Sequence, residues 1–105
     1  MGGSVTLGSA LREVERVSCV AEPGAWRVSW SPLDGAEAYE VQQTTSIGQF
    51  PWLLVATVSG NELRMPSALA EEVWIRVRAV SVTGAGPWSD PVLIRTRQAS
   101  ARMVA

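Results

Sequence analysis

A chain of 105 residues and 11.3 kDa has room for one domain built on one hydrophobic core. Apolar residues make up 47% and charged ones 18%, and nine Arg against ten acids leave a net charge of -1, which excludes the basic face a nucleic-acid binder needs. With no Lys, no His and a single cysteine, Cys19, the chain lacks an imidazole base, a Schiff-base amine, a histidine metal ligand and an intradomain disulfide, so no enzyme activity, metal or cofactor is expected.

Residues 1 to 10 are rich in Gly and Ser and read as a mobile arm. They carry no basic start and apolar run of a secretory leader, and no later segment has the length of a membrane span. Leu11 to Ala21 is ambiguous: Leu11, Val14 and Val17 fit a helical face, whereas Val17, Cys19 and Ala21 alternate as in a strand. That alternation makes Cys19 a small, inert core residue. Glu22-Pro23-Gly24 then breaks the chain.

From Ala25 onward the period is two. Trp26, Val28 and Trp30 share one face of a strand that ends at Pro32, and Asp34-Gly35 marks a turn. Tyr39 and Val41 oppose Glu40 and Gln42 on the next strand, and Ile47 to Pro51 is a loop. Trp52 to Val58 is a strand too apolar for its faces to be assigned. Leu63 and Met65 begin a short strand cut off by Pro66. Val73, Ile75, Val77 and Ala79 alternate with Trp74, Arg76 and Arg78 in the cleanest pattern of the chain. Gly84 to Pro87 is a loop, and Val92, Ile94 and Thr96 oppose Leu93, Arg95 and Arg97 in a last strand. The tail, residues 98 to 105, has no period. Seven short strands with turn signals between them predict a seven-stranded antiparallel β-sandwich, immunoglobulin-like, over residues 11 to 97.

Several ordered segments resemble the fibronectin type III family. Val28-Ser29-Trp30-Ser31-Pro32 is similar to its second strand, with Trp30 in the place of the core tryptophan. Ala38-Tyr39-Glu40-Val41 is similar to the third strand. Leu69 with Ile75-Arg76-Val77-Arg78-Ala79-Val80 resembles the approach to the sixth strand and its signature. Gly84-Ala85-Gly86-Pro87-Trp88-Ser89-Asp90-Pro91 resembles the entry into the last strand. The resemblance implies a core of Val28, Trp30, Tyr39, Val41, Leu69, Ile75, Val77 and Ala79. One position departs from it: Val73 stands where the family usually places its tyrosine-corner phenol, so that corner is expected to be held by apolar packing. No Arg-Gly-Asp occurs between Val82 and Pro87, which removes the integrin-binding reading.

Strand parity assigns Glu40, Gln42, Trp74, Arg76, Arg78, Leu93 and Arg95 to one outward face, a candidate partner-binding patch because Trp and Arg are favoured contact residues. Its bland counterpart is a cation–π ladder with Trp88 over Arg76 or Arg78, which the resemblance to cytokine-receptor modules with a Trp-Ser motif also implies. A second candidate patch is the loop carrying Ile47, Phe50 and Trp52, where Trp52 either caps the sandwich edge or contacts a partner. Asp34, Glu71, Glu72 and Asp90 lack the oxygen-ligand spacing of a calcium loop and read as solvated surface.

The expected function is therefore that of a non-catalytic structural or interaction module. The narrower expectation is a bacteriophage virion accessory protein of tail, baseplate or capsid, since sandwiches of this kind resemble such decorations. Its partners would be other protein subunits in a multi-copy assembly, with the terminal arms ordering on a neighbour. The alternative is a spacer or binding module of a larger extracellular protein, with glycan binding through Trp74 and Trp52. Neither reading involves nucleic acid or membrane insertion.

Overall fold

The computed structural model describes residues 11–66 and 72–95. Leu69, Glu71, Thr96, Arg97 and both terminal segments lie outside them, and with these the expectations for the arms. The described residues form eight β-strands and no helix: β1 (Ser18–Glu22), β2 (Ala25–Ser29), β3 (Ala38–Thr44), β4 (Leu53–Val58), β5 (Glu62–Pro66), β6 (Glu72–Ser81), β7 (Gly84–Ala85) and β8 (Val92–Arg95). All pairings are antiparallel. One sheet has the order β1-β2-β5; the other runs β4-β3-β6, with β7 and β8 both on the far side of β6. The two sheets pack as a sandwich.

Eight strands replace the expected seven because the last one is interrupted. Gly84–Ala85, expected as loop, pairs with Val80 and Ser81, and Val92–Arg95 pairs with Glu72 to Ile75 at the other end of β6. Pro87 and Pro91 lie between them and cannot donate to a ladder. The bridge is made otherwise: Gly86 N–H donates to the Ala79 carbonyl at 2.8 Å and Ser89 N–H to the Val77 carbonyl at 2.8 Å. The buried Ser89 hydroxyl completes it by accepting from Val77 N–H at 3.0 Å. Asp90 and Pro91 therefore precede the strand.

The ambiguous stretch from Leu11 is irregular up to Val17, and only Ser18–Glu22 is strand. Val14 is buried, and Ser31 N–H donates to the Glu15 carbonyl at 3.0 Å. The chain then kinks at Arg16, whose φ of 60° lies in the left-handed region that costs a side-chain-bearing residue roughly 1–2 kcal/mol. Pro23 and Gly24 link β1 to β2 with Glu22 opposite Ala25, and Gly24 at φ 71° supplies the positive φ such a turn requires. Gly86 is needed for space, since a Cβ there would meet Leu11 Cβ at 3.0 Å and the Arg12 carbonyl at 3.2 Å.

The core lies between the sheets. Val28, Trp30, Tyr39, Val41, Ile75, Val77 and Ala79 are all buried there, joined by Val14, Trp26, Met65, Val73 and Ile94. Trp30 meets Tyr39 edge to face, ring centroids 5.4 Å apart, and the Tyr39 hydroxyl accepts from Leu33 N–H at 2.9 Å. Val73 faces inward opposite Ile94, so this corner is apolar. Cys19 is half-buried against the core, and burial pushes its thiol up to about 11.

Candidate interaction surface

Strand alternation and register together build the outer face of the larger sheet. Since Ile75, Val77 and Ala79 turn inward, Trp74, Arg76 and Arg78 turn outward, and β3 sets Thr44, Gln42 and Glu40 directly opposite them. Arg78 Nε donates to Glu40 Oε1 at 2.7 Å, and Arg76 donates to Gln42 Oε1 from Nε at 2.9 Å and from Nη2 at 2.7 Å. At the end of the strand Arg95 Nε lies 3.2 Å from Glu72 Oε2.

Both central guanidinium groups are also stacked. Arg76 Cζ and Arg78 Cζ each lie 4.4 Å from the centroid of the Trp88 ring, so Trp88 contacts both rather than one. Arg76 Cζ is in addition 4.2 Å from the centroid of Trp52. The result is a continuous ladder, Trp52–Arg76–Trp88–Arg78. Burial, and then the like charge of Arg78, hold the Arg76 guanidinium below its ordinary range. Much of the face expected to offer Arg donors to a partner therefore uses them within the domain: Arg76, Arg78, Glu40 and Gln42 are engaged with one another or with indoles.

Trp74 is not part of the ladder. It is half-buried, with Thr44 on one flank and Leu93 on the other. Thr44 is buried although it belongs to the outer face, because the loop after it folds back: its hydroxyl reaches the carbonyls of Ser46 at 3.4 Å and Phe50 at 3.3 Å. The two patches that are separate in sequence thus meet at Thr44 and at the Trp52–Arg76 stack.

Beyond this junction the surface turns apolar. Ile47 and Phe50 are 47% and 53% exposed, and Leu53 and Leu54 are 58% and 59% exposed at the start of β4. β4 pairs with β3 and, among the described strands, with no other. Its ladder shifts register between Val41 and Gln42, so Val55 is skipped: Ala56 faces Val41 and Leu54 faces Gln42. A shallow apolar recess of about 270 Å³ opens beside it, lined by Gln43, Thr44, Thr45, Phe50, Pro51 and Leu53. Leu53 and Leu54 are absent from both sequence-derived patches. The available signal was charge, not hydrophobicity: residues 41 to 61 contain no Asp, Glu, Lys or Arg.

Among the described residues no group of three His, Cys, Asp or Glu is arranged to hold a metal ion. The surface pairs guanidinium with amide, carboxylate and indole.

No family model matches the sequence, and no curated protein matches it. Solved structures do align with it. An Fn3-like protein from Clostridium thermocellum superposes with a TM-score of 0.70 at 20% identity, over 84% of this chain and 93% of that one. The FN5 domain of Drosophila Lar gives 0.66 at 18% identity, over 83% and 97%. Titin kinase with its flanking domains gives 0.74 at 15% identity, over 91% of this chain and 19% of that one. These alignments cover 83% to 91% of this chain, and the chain has the fibronectin type III fold.

Proposed function

We propose that this domain is a non-catalytic protein–protein interaction module whose contact surface is the β4 edge with the preceding loop. The observation that carries the reading is the run of half-exposed apolar residues Ile47 and Phe50 in the loop and Leu53 and Leu54 on β4, a strand that pairs with β3 and with no other described strand. Contiguous exposed apolar groups of this size on a soluble domain mark contact sites. Trp74 borders the same surface through Thr44 and is a secondary contact.

The narrower proposal is a subunit of a multi-copy protein assembly such as a bacteriophage virion. A net charge of -1 supports it, since many copies can pack closely with little mutual repulsion. Membership of a larger extracellular protein would use the same surface. Glycan stacking on Trp52 is disfavoured because Arg76 already covers part of its ring.

The test is incorporation of full-length variants into the parent assembly. Leu54→Lys is expected to lose attachment while keeping the wild-type melting temperature, and Trp74→Ala to weaken it less. Wild-type attachment by Leu54→Lys, with loss by Arg76 or Arg78 variants that still fold, would overturn the reading.

A further inference from the structure

We propose that β4 is a homotypic edge: two copies of this chain pair antiparallel through Leu53–Val58 about a two-fold axis, continuing the larger sheet across a dimer. The inference rests on the reading above that this edge is the contact surface, and it names the occupant.

Charge is the first argument. Sheet edges are ordinarily guarded against pairing by charged residues, proline, brevity or a bulge. The other edges follow that rule. β5 carries Glu62, Arg64 and Pro66, and β1 ends in Glu22, which pairs with both Arg27 and Arg64. β8 ends in Arg95, paired with Glu72, and β7 has only two residues. β4 carries no charge, and neither does anything from Val41 to Asn61. The skipped residue at Val55 is its only guard.

Symmetry is the second. A two-fold antiparallel pairing lays a strand beside its own sequence, residue i facing j and j facing i, so a net charge of one sign on the strand is doubled around the axis. An edge without charge escapes that penalty. It also offers no charge with which to select a charged foreign strand, so its complement is another uncharged apolar edge, and β4 itself is one.

Area is the third. The four half-exposed side chains present on the order of 400 Å² of apolar surface per copy. Two such patches, with the strand backbones and their rims, reach about 1,000–1,200 Å², the lower bound for a specific interface. That size fits a reversible dimer with a dissociation constant in the micromolar range.

Sedimentation of the full chain across concentrations up to millimolar reads this directly. The expected result is a monomer–dimer equilibrium with concentration-dependent amide protection confined to residues 53 to 58. Thr57 is exposed on β4, so Thr57→Lys leaves the core intact while placing like charges near the axis. Thr57→Lys and Leu54→Lys are each expected to weaken dimerisation by about tenfold or more. If Leu54→Lys fails to melt like wild type, Thr57→Lys carries the test alone. A monomer at every concentration overturns self-pairing, and so does a dimer that protects other strands or is indifferent to Thr57→Lys. Neither result touches the attachment assay above, which a foreign partner would still pass.

Discussion

Arg76 lies directly across from Gln42, and two of its nitrogens converge on the single amide oxygen Oε1, at 2.9 and 2.7 Å. The neighbouring pair, Arg78 with Glu40, has a carboxylate in the same place. Arg76 is thus held by an amide and two indoles, with its charge disfavoured by burial and by Arg78. Gln42→Glu supplies the missing carboxylate with almost no change in shape. It is expected to raise stability by about 0.5–1 kcal/mol, measured by denaturant melts, with the gain shrinking as salt is added. An unchanged or lowered stability would show that the amide already satisfies Arg76.

The ladder predicts an order of effects. Trp88 contacts two guanidinium groups and Trp52 one, so Trp88→Ala is expected to cost more than Trp52→Ala. Each stacked cation contributes roughly 0.5–1 kcal/mol at a partly exposed site, in addition to the lost burial of the indole. Chemical denaturation of the two variants checks the ranking, and a larger cost at Trp52 would contradict it.

Which parts of this arrangement were legible in the chain follows from their range. Val73 to Ala79 and Trp26 to Trp30 alternate strictly, and the inward and outward faces read from that period are the ones seen. Trp88 over the strand arginines was legible through the resemblance of its Trp88-Ser89 motif to cytokine-receptor modules. The Trp52–Arg76 stack was not: it joins the end of one loop to the middle of β6, and no periodicity carries that distance. The apolar run Leu53 to Ala56 hides the parity of β4, and the skipped Val55 would have defeated a strict period there in any case. The split of the last strand depends on the Ser89 side chain standing in for a ladder bond, a tertiary choice that proline spacing alone does not encode.

Two hydroxyls that serve buried or half-buried backbone donors should differ in weight. Ser89→Ala strips Val77 N–H of its partner in the centre of β6 and is expected to cost about 1–3 kcal/mol. Tyr39→Phe removes the acceptor for Leu33 N–H, which lies nearer the surface, and is expected to cost about 1 kcal/mol while the ring keeps its contact with Trp30. Urea titrations give both values. A costless Ser89→Ala would mean that the bridge between β7 and β8 is held by the backbone bonds of Gly86 and Ser89 alone.

Cys19 sets an alkaline limit. Its thiol is raised from 9.0 to about 11 by burial, so the folded state holds this proton more tightly than the unfolded one. The corresponding stability is fully present below pH 9 and is lost as pH rises through about 11. Wild type is expected to lose melting temperature over that window faster than Cys19→Ala, and to react with thiol reagents at pH 8 more slowly than a free cysteine. Parallel pH profiles of the two proteins would contradict the assignment.

Hydrogen exchange of the full chain, free and bound in its assembly, tests most directly the claim that contact is made by the uncharged edge and not by the arginine face. The account predicts new protection over Leu53–Val58 and the loop from Ile47 to Trp52, with Trp74 to Arg78 little changed. Protection that appears across β6 and around Trp88 while β4 stays as open as in the free domain would contradict it.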